Sequence, residues 1–321
     1  MNRILVLGGT GFLGSDLCEK AGQLQCRVTV PTRRLESAKK IQSLPWVDPI
    51  QADIHDEAAL TRQVRGHDAV VNLVATLHGT QAAFSKVHVE LVEKLVRACT
   101  AGGVRRVVHV SAIGAAADAK SMYQRSKAQG EAVLSASTLD VSIIRPSLIF
   151  GPGDQSINLF ARLQARLPFI PLGAADARFQ PVWVEDVAQA IVNLLRDRGA
   201  VGAAGSQGEA PVYEACGPDV YTLKQLVQAA GRLSGNQRPV FALPPPLARL
   251  QARLMELAPG GPLLSRDNLD SMASDNVASG VLPGLKELGI TPSALSVIAP
   301  NYLDSSEAGL LLMRRRAAGR F

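Results

Sequence analysis

The chain has 321 residues, 47% of them hydrophobic and 19% charged, with a formal net charge of +6. So high an apolar content without a low-complexity tract excludes a disordered or fibrous protein, and no run of about 18 apolar residues is present to cross a bilayer as a helix. The positive charge is mild and dispersed, which points to an anionic small ligand or surface and away from nucleic acid.

The first half alternates short β-branched runs with longer amphipathic stretches. Strands are expected at Arg3–Leu7, Arg27–Val30, Pro49–Ala52, Ala69–Val74, Arg106–Val110 and Val141–Ile144, the last closed by Arg145-Pro146. Helical spacing is clearest over 81–101, where Phe84, Val87, Leu91, Leu95 and Ala98 recur every three or four residues. Nearly continuous apolar strands separated by helices predict an α/β fold, a doubly wound parallel sheet covered on both faces. After Pro146 the pattern loosens through Gly151-Pro152-Gly153, Pro168 and Pro171. Val182–Leu195 reads as a strand end running into a helix, 199–208 as a loop, and Thr222 as the N-cap of a helix over 222–234. The expected organisation is a dinucleotide-binding Rossmann domain over 1–150, completed by about 180–198. A smaller, interwoven, mostly helical substrate lobe follows over 151–321.

The segment Gly8-Gly9-Thr10-Gly11-Phe12-Leu13-Gly14 follows the first strand directly and opens a helix. Gly8 suits a tight turn, Gly11 lets backbone approach a pyrophosphate, and Gly14 allows helix and strand to pack closely. The helix N-terminus then offers unpaired N–H groups to the phosphates. The tip of the second strand reads Val30-Pro31-Thr32-Arg33-Arg34, without the carboxylate that would bind a ribose 2′-hydroxyl. A guanidinium there can grip a 2′-phosphate bidentately, which favours NADP(H), with NAD(H) as the alternative. Arg33 is the first candidate for that contact and Arg34 the second.

These motifs resemble the extended short-chain dehydrogenase/reductase family, which includes epimerases and dehydratases. Besides the glycines, Asn72-Leu-Val-Ala75, Tyr123-Gln-Arg-Ser-Lys127, Arg145-Pro146 and Val184-Glu-Asp-Val-Ala188 are similar to its signatures. His109–Ala115, Tyr123–Ala132 and the pattern Asp275-Asn-Val, Leu288-Gly-Ile, Tyr302 are closer to one atypical branch. That branch contains the NAD(P)H-binding accessory subunit of respiratory complex I and its bacterial relatives. The resemblance implies that Asp53 and Ile54 lie beside the adenine, although a local turn cap explains Asp53 equally well. It implies that Val74, Ala75, Thr76, Ser111 and Pro146 lie along the cofactor. Tyr123 and Lys127, one helical turn apart, become the catalytic pair. The lysine holds the nicotinamide ribose and lowers the tyrosine pKa, and the tyrosine moves a proton as hydride passes to or from a carbonyl.

One family residue is missing. The serine or threonine expected just past the fifth strand falls on Ala112 or Ile113, neither of which donates a hydrogen bond. Ser111 reads instead as satisfying backbone at the strand end. Ordinary reductase turnover is therefore in doubt while cofactor binding is not. The expected activity is reduction of a small apolar carbonyl compound, with quinone-related substrates implied by the branch and suited by the apolar stretches Phe160–Pro171 and Leu243–Pro262. The rival is a non-catalytic nucleotide-binding accessory or sensor protein that docks on a respiratory complex or membrane. Four cysteines and five histidines show no ligand spacing, so no metal is expected, and His88-Val89-Glu90 reads as the polar face of the 81–101 helix. The N-terminus lacks a signal's long apolar core, so a cytoplasmic protein is expected. At the C-terminus Leu310–Met313 precedes Arg314-Arg315-Arg316. This is either a peripheral contact with the inner face of an anionic membrane or a solvated or packed chain end.

Overall fold

The computed structural model describes residues 1–196, 210–257 and 264–303. The 199–208 loop and the basic C-terminal segment therefore lie outside the described residues. The chain divides into two compact units. Of the described residues, the first comprises those within Met1–Pro146, Val184–Ala215 and Ala278–Thr291; the second comprises those within Ser147–Trp183 and Cys216–Val277 and those from Pro292 to Leu303.

The first unit is built on a seven-stranded sheet whose paired strands are all parallel. Its strands β1 (Arg3–Leu7), β2 (Arg27–Thr32), β3 (Val47–Gln51), β4 (Ala69–Asn72), β5 (Arg106–Val110) and β6 (Asp140–Pro146) are joined by an edge strand at Val212–Ala215. The spatial order is β3-β2-β1-β4-β5-β6 and then the edge strand. β1 therefore lies between β2 and β4, and the strand order reverses there. In open α/β sheets ligands bind outside the carboxyl ends of the strands at such a switch point. β6 runs through Arg145 and Pro146 instead of stopping before them, because the edge strand pairs with it in the register Glu214↔Arg145 and Ala215↔Pro146. That edge strand was invisible in the sequence, since Val212–Ala215 is short and follows a long glycine- and alanine-rich stretch. Leu5, Leu7, Val70, Val107 and Ile143 from the strands meet Leu60, Leu91, Leu95 and Leu134 from the helices in one core.

Helices α1 (Phe12–Lys20) and α2 (Glu57–Val64) follow the first and third strands. The expected helix over 81–101 is three segments: α3 (Gln81–Ser85), a π-helical turn (Lys86–Glu90) and α4 (Leu91–Gly102). Helix α5 (Met122–Ser135) carries Tyr123 and Lys127, and Ser121 caps it by accepting from the Gln124 amide. The π turn lies where α5 makes its closest approach. A Cβ on Gly130 would fall 2.2 Å from the His88 carbonyl oxygen, so only glycine lets the two backbones meet. Helix-breaking glycine is tolerated in mid-helix for that reason.

The second unit has its own core. Helix α6 (Ile157–Arg166) contributes Ile157 and Ala161. After α7 (Val184–Arg196), which belongs to the first unit, α8 (Leu223–Leu233) adds Leu226 and Ala230. The Thr222 N-cap is present as a capping box, with Thr222 Oγ1 accepting from the Gln225 amide and Gln225 Oε1 accepting from the Thr222 amide. Helix α9 (Pro245–Glu256) begins with prolines at its first turn, where their missing N–H costs nothing.

Substituting Gly130→Ala forces α5 away from the π turn and should destabilise the protein by about 1–3 kcal/mol in chemical denaturation. The neighbouring Gln129→Ala, at an exposed position, should leave stability unchanged. Equal stability of Gly130→Ala and the native protein would contradict the packing described.

Candidate functional site

The glycine loop forms as its spacing predicts. Gly8 has φ +85°, and a Cβ there would press on the Leu73 carbonyl carbon at 3.2 Å. At Gly14 a Cβ would lie 2.3 Å from the Gly8 carbonyl oxygen, so the helix can start over the loop only with glycine at this place. Gly11 is the N-cap of α1 and no side chain caps the helix, which leaves its first amides free to meet an anion. Thr10, Phe12 and Leu13 lie within this turn and the first turn of the helix.

A cleft of about 570 Å³ opens beside the loop. Gly8, Thr10, Arg33, Arg34, Ile54 and Val74, all anticipated, line it together with Pro31, Thr32, Ser37, Ala52 and His55, which were not. No carboxylate lines it. Arg33 and Arg34 are exposed at its mouth. Thr32 Oγ1 donates to the Arg34 carbonyl at 3.0 Å and Gln51 Nε2 to the Arg33 carbonyl at 3.4 Å, so the backbone of both arginines is tied down while their guanidinium groups stay available. Asp53 makes a local turn, its Oδ1 accepting from the His55 amide at 2.9 Å. Burial pushes the His55 pKa down, with Lys86, Lys94 and Arg33 acting in the same direction against Asp53. These features suit a dinucleotide: a helix N-terminus for the pyrophosphate and a cationic, carboxylate-free mouth.

At the other end of the sheet edge, Lys127 is 2% exposed and its Nζ donates to the carbonyl of Val110, the last residue of β5, at 2.7 Å. Burial lowers its pKa to about 8, opposed by the charge of Glu131. Glu131 is itself engaged by Arg145, whose Nε donates to it at 2.9 Å. The resemblance implies a lowered tyrosine pKa, and the structure differs: burial pushes Tyr123 up to about 12. Its ring packs edge-on against His88 and Phe84, with centroids 5.5 Å and 6.0 Å away.

His88 overturns its expected place on a polar face. It is 2% exposed and turns inward from the π turn. Its Nε2 accepts from the Thr76 amide at 3.1 Å, which puts the proton on Nδ1, and Nδ1 donates to Ser126 Oγ at 2.8 Å. Ser126 Oγ donates onward to the Tyr123 carbonyl at 2.7 Å. The loop after β4, with Val74, Ala75 and Thr76, is thereby joined to the helix bearing Tyr123 and Lys127. Burial, reinforced by Lys127, holds His88 neutral with a pKa of about 3. The signal was present: Phe84, His88, Leu91 and Leu95 share one face at spacings of four, three and four.

Ser111 also differs from expectation. Its amide donates to the Ile144 carbonyl at 2.7 Å, but its buried hydroxyl has no hydrogen-bond partner and does not satisfy backbone. Ala112 and Ile113 are buried, and the Ile113 amide donates to the Pro146 carbonyl at 3.1 Å. Among the described residues no group of His, Cys, Asp and Glu could hold a metal ion, and the four cysteines are free thiols.

Residues 4–205 match the NAD dependent epimerase/dehydratase family. The chain belongs to that family. As a member it has the NAD(P)-binding Rossmann architecture of extended short-chain dehydrogenases/reductases. It is 28% identical over 319 residues to NADH dehydrogenase [ubiquinone] 1 alpha subcomplex subunit 9 of Arabidopsis thaliana, covering 95% of this chain and 78% of the relative. It is 28% identical over 245 residues to the ceramide reductase of Caulobacter vibrioides, covering 76% and 74%. Among solved structures, the dTDP-glucose 4,6-dehydratase of Streptomyces venezuelae, determined with NAD bound, superposes with a TM-score of 0.73 at 22% identity over 94% and 95% of the two chains. The last likeness shows the shared fold. In this family member the glycine loop, the Arg33–Arg34 cleft and the Tyr123–Lys127 pair all lie in the first unit.

Proposed function

We propose that the protein binds NADP(H) in preference to NAD(H) and reduces a carbonyl group on a small apolar compound, with quinone-related compounds as the first class to test. The observation that carries the reading is the placement of Lys127, buried against the end of β5 one helical turn from Tyr123. A buried ammonium is costly, and strongly perturbed buried groups of this kind cluster at functional sites, which supports the reading. The bound dinucleotide would supply the hydride. Gly8, Thr10, Gly11, Phe12, Leu13 and Gly14 would cradle its pyrophosphate, and Arg33 with Arg34 its 2′-phosphate. Asp53 and Ile54 would lie by the adenine, and Val74, Ala75, Thr76, Ser111 and Pro146 towards the nicotinamide. Lys127 would turn from the Val110 carbonyl to the ribose hydroxyls, and its charge would bring Tyr123 down from about 12 so that Tyr123 Oη can give its proton to the substrate oxygen.

A second reading is favoured by Ala112 and Ile113, both buried and unable to donate where the family places a hydroxyl. Losing one such donor costs about 2–4 kcal/mol of transition-state stabilisation. A protein so impaired could serve as a nucleotide-binding accessory or sensor unit on a respiratory complex, the assembly that the Arabidopsis relative's name describes.

Two measurements test these readings. Titration calorimetry should give NADPH at least about tenfold tighter binding than NADH, roughly 1.4 kcal/mol. Arg33→Ala should remove most of that difference while leaving NADH affinity nearly unchanged, and equal native affinities would reject the cofactor assignment. In NADPH oxidation assays with quinones and aldehydes, Tyr123→Phe should abolish turnover and keep cofactor affinity. If native protein and Tyr123→Phe turn over equally, Tyr123 is not the acid and the accessory reading replaces the reductase.

A further inference from the structure

The second unit carries an apolar surface that its own core leaves uncovered. Helix α9 buries Ala248 and Ala252, and the helix lies close where Ala248 faces Gly173. A Cβ on Gly173 would come within 2.8 Å of Ala248 Cβ, and Gln251 Nε2 donates to the Pro171 carbonyl at 3.1 Å. The outward side bears Leu247, Leu250, Leu254 and, just past the helix end, Leu257, at spacings of three, four and three. These leucines are 52%, 52%, 60% and 78% exposed. Beside the helix, the parallel pair Ile170–Leu172 and Val240–Ala242 exposes Phe169 and Phe241, whose rings meet edge to face at 6.0 Å. Contiguous exposed apolar side chains of this kind mark an interaction surface.

The charge pattern selects the occupant. From 155 to 175 and from 220 to 255 the sequence has seven arginines and lysines and no aspartate or glutamate. Arg249 and Arg253 form a row alongside the leucines, both exposed. Two carboxylates lie nearby and both are paired: Asp270, on a neighbouring helix, with Arg249 at 3.1 Å, and Glu256, at the end of α9 itself, with Arg266 at 2.9 Å. A second copy of the chain would set these arginines against themselves. The segment 304–321, whose four arginines outnumber Asp304 and Glu307, would also bring net positive charge. Exposed leucines flanked by arginines, on a helix of 12 residues that is too short to span a bilayer, match a face lying in the interfacial layer of an anionic membrane.

We propose that the leucine row of α9 is a peripheral membrane-docking surface. Leu247, Leu250 and Leu254 enter the acyl boundary while Arg249 and Arg253 meet lipid phosphates. The nucleotide site plays no part in this contact.

The full-length protein should float with vesicles of equimolar phosphatidylglycerol and phosphatidylcholine and not with phosphatidylcholine alone. Leu250→Ser/Leu254→Ser should reduce recovery at least about tenfold without lowering the melting temperature, since both residues are already exposed. Arg253→Gln should weaken partitioning about fivefold. Replacing Arg314, Arg315 and Arg316 together by alanine should leave flotation in place. Loss of flotation in that last variant, with retention in the leucine variant, would overturn the proposal in favour of the C-terminal segment. Absence of flotation with either vesicle would also overturn it, leaving the face to a protein partner, or to a second copy if a dimer dissociates on Leu250→Ser/Leu254→Ser.

Discussion

Burying the Lys127 ammonium is the constraint around which the first unit is arranged. A charge taken out of water costs several kcal/mol even after relaxation, and here one carbonyl, that of Val110, offsets the loss directly. Glu131 lends its field from one turn away while being held by Arg145. Helix α5 must therefore sit at one depth and one rotation. The Ser121 cap fixes where it starts, Gly130 lets it press on the His88 carbonyl, and the Ser126–His88 bonds tie it to the loop after β4. Moving α5 by a fraction of an ångström would cost several of these contacts at once.

The π turn at Lys86–Glu90 serves the same constraint. From this turn His88 points inward, where its two ring nitrogens join the loop after β4 to α5. The Thr76 amide needs an unprotonated Nε2 to accept it, and burial and the nearby lysine both act to keep the imidazole neutral. The loop after β4 and helix α5 are thereby tied to each other.

The parallel sheet, the glycine loop and the Tyr123–Lys127 pair were legible because each rests on a local rule: strand periodicity, a turn that only glycine can make, a one-turn spacing. The cleft was half legible. Arg33 and Arg34 stood out by charge, whereas Ser37 and His55 reach it through tertiary placement that no spacing encodes. The Val212–Ala215 strand escaped because parallel pairing with β6 creates it, not its own four residues. His88 escaped because a histidine beside a glutamate looked polar, although its spacing from Phe84, Leu91 and Leu95 put it on the apolar face. Ser111 shows the reverse error: a hydroxyl at a strand end suggested a backbone bond, and the structure leaves it unpartnered.

Proton linkage tests the role assigned to Lys127 most directly. With its pKa near 8, Lys127 is about half protonated at that pH. If ribose hydroxyl oxygens then accept from it, the bound-state pKa rises above the free value, so binding takes up protons near pH 8 and affinity falls as pH rises past it. The 2′-phosphate, with a second pKa near about 6, stays silent in this range. Calorimetry of NADPH binding near pH 8, in buffers of differing ionisation heat, should show uptake of up to about half a proton per dinucleotide in the native protein and none in Lys127→Met. Binding without proton uptake in the native protein, or equal uptake in both, would contradict the account.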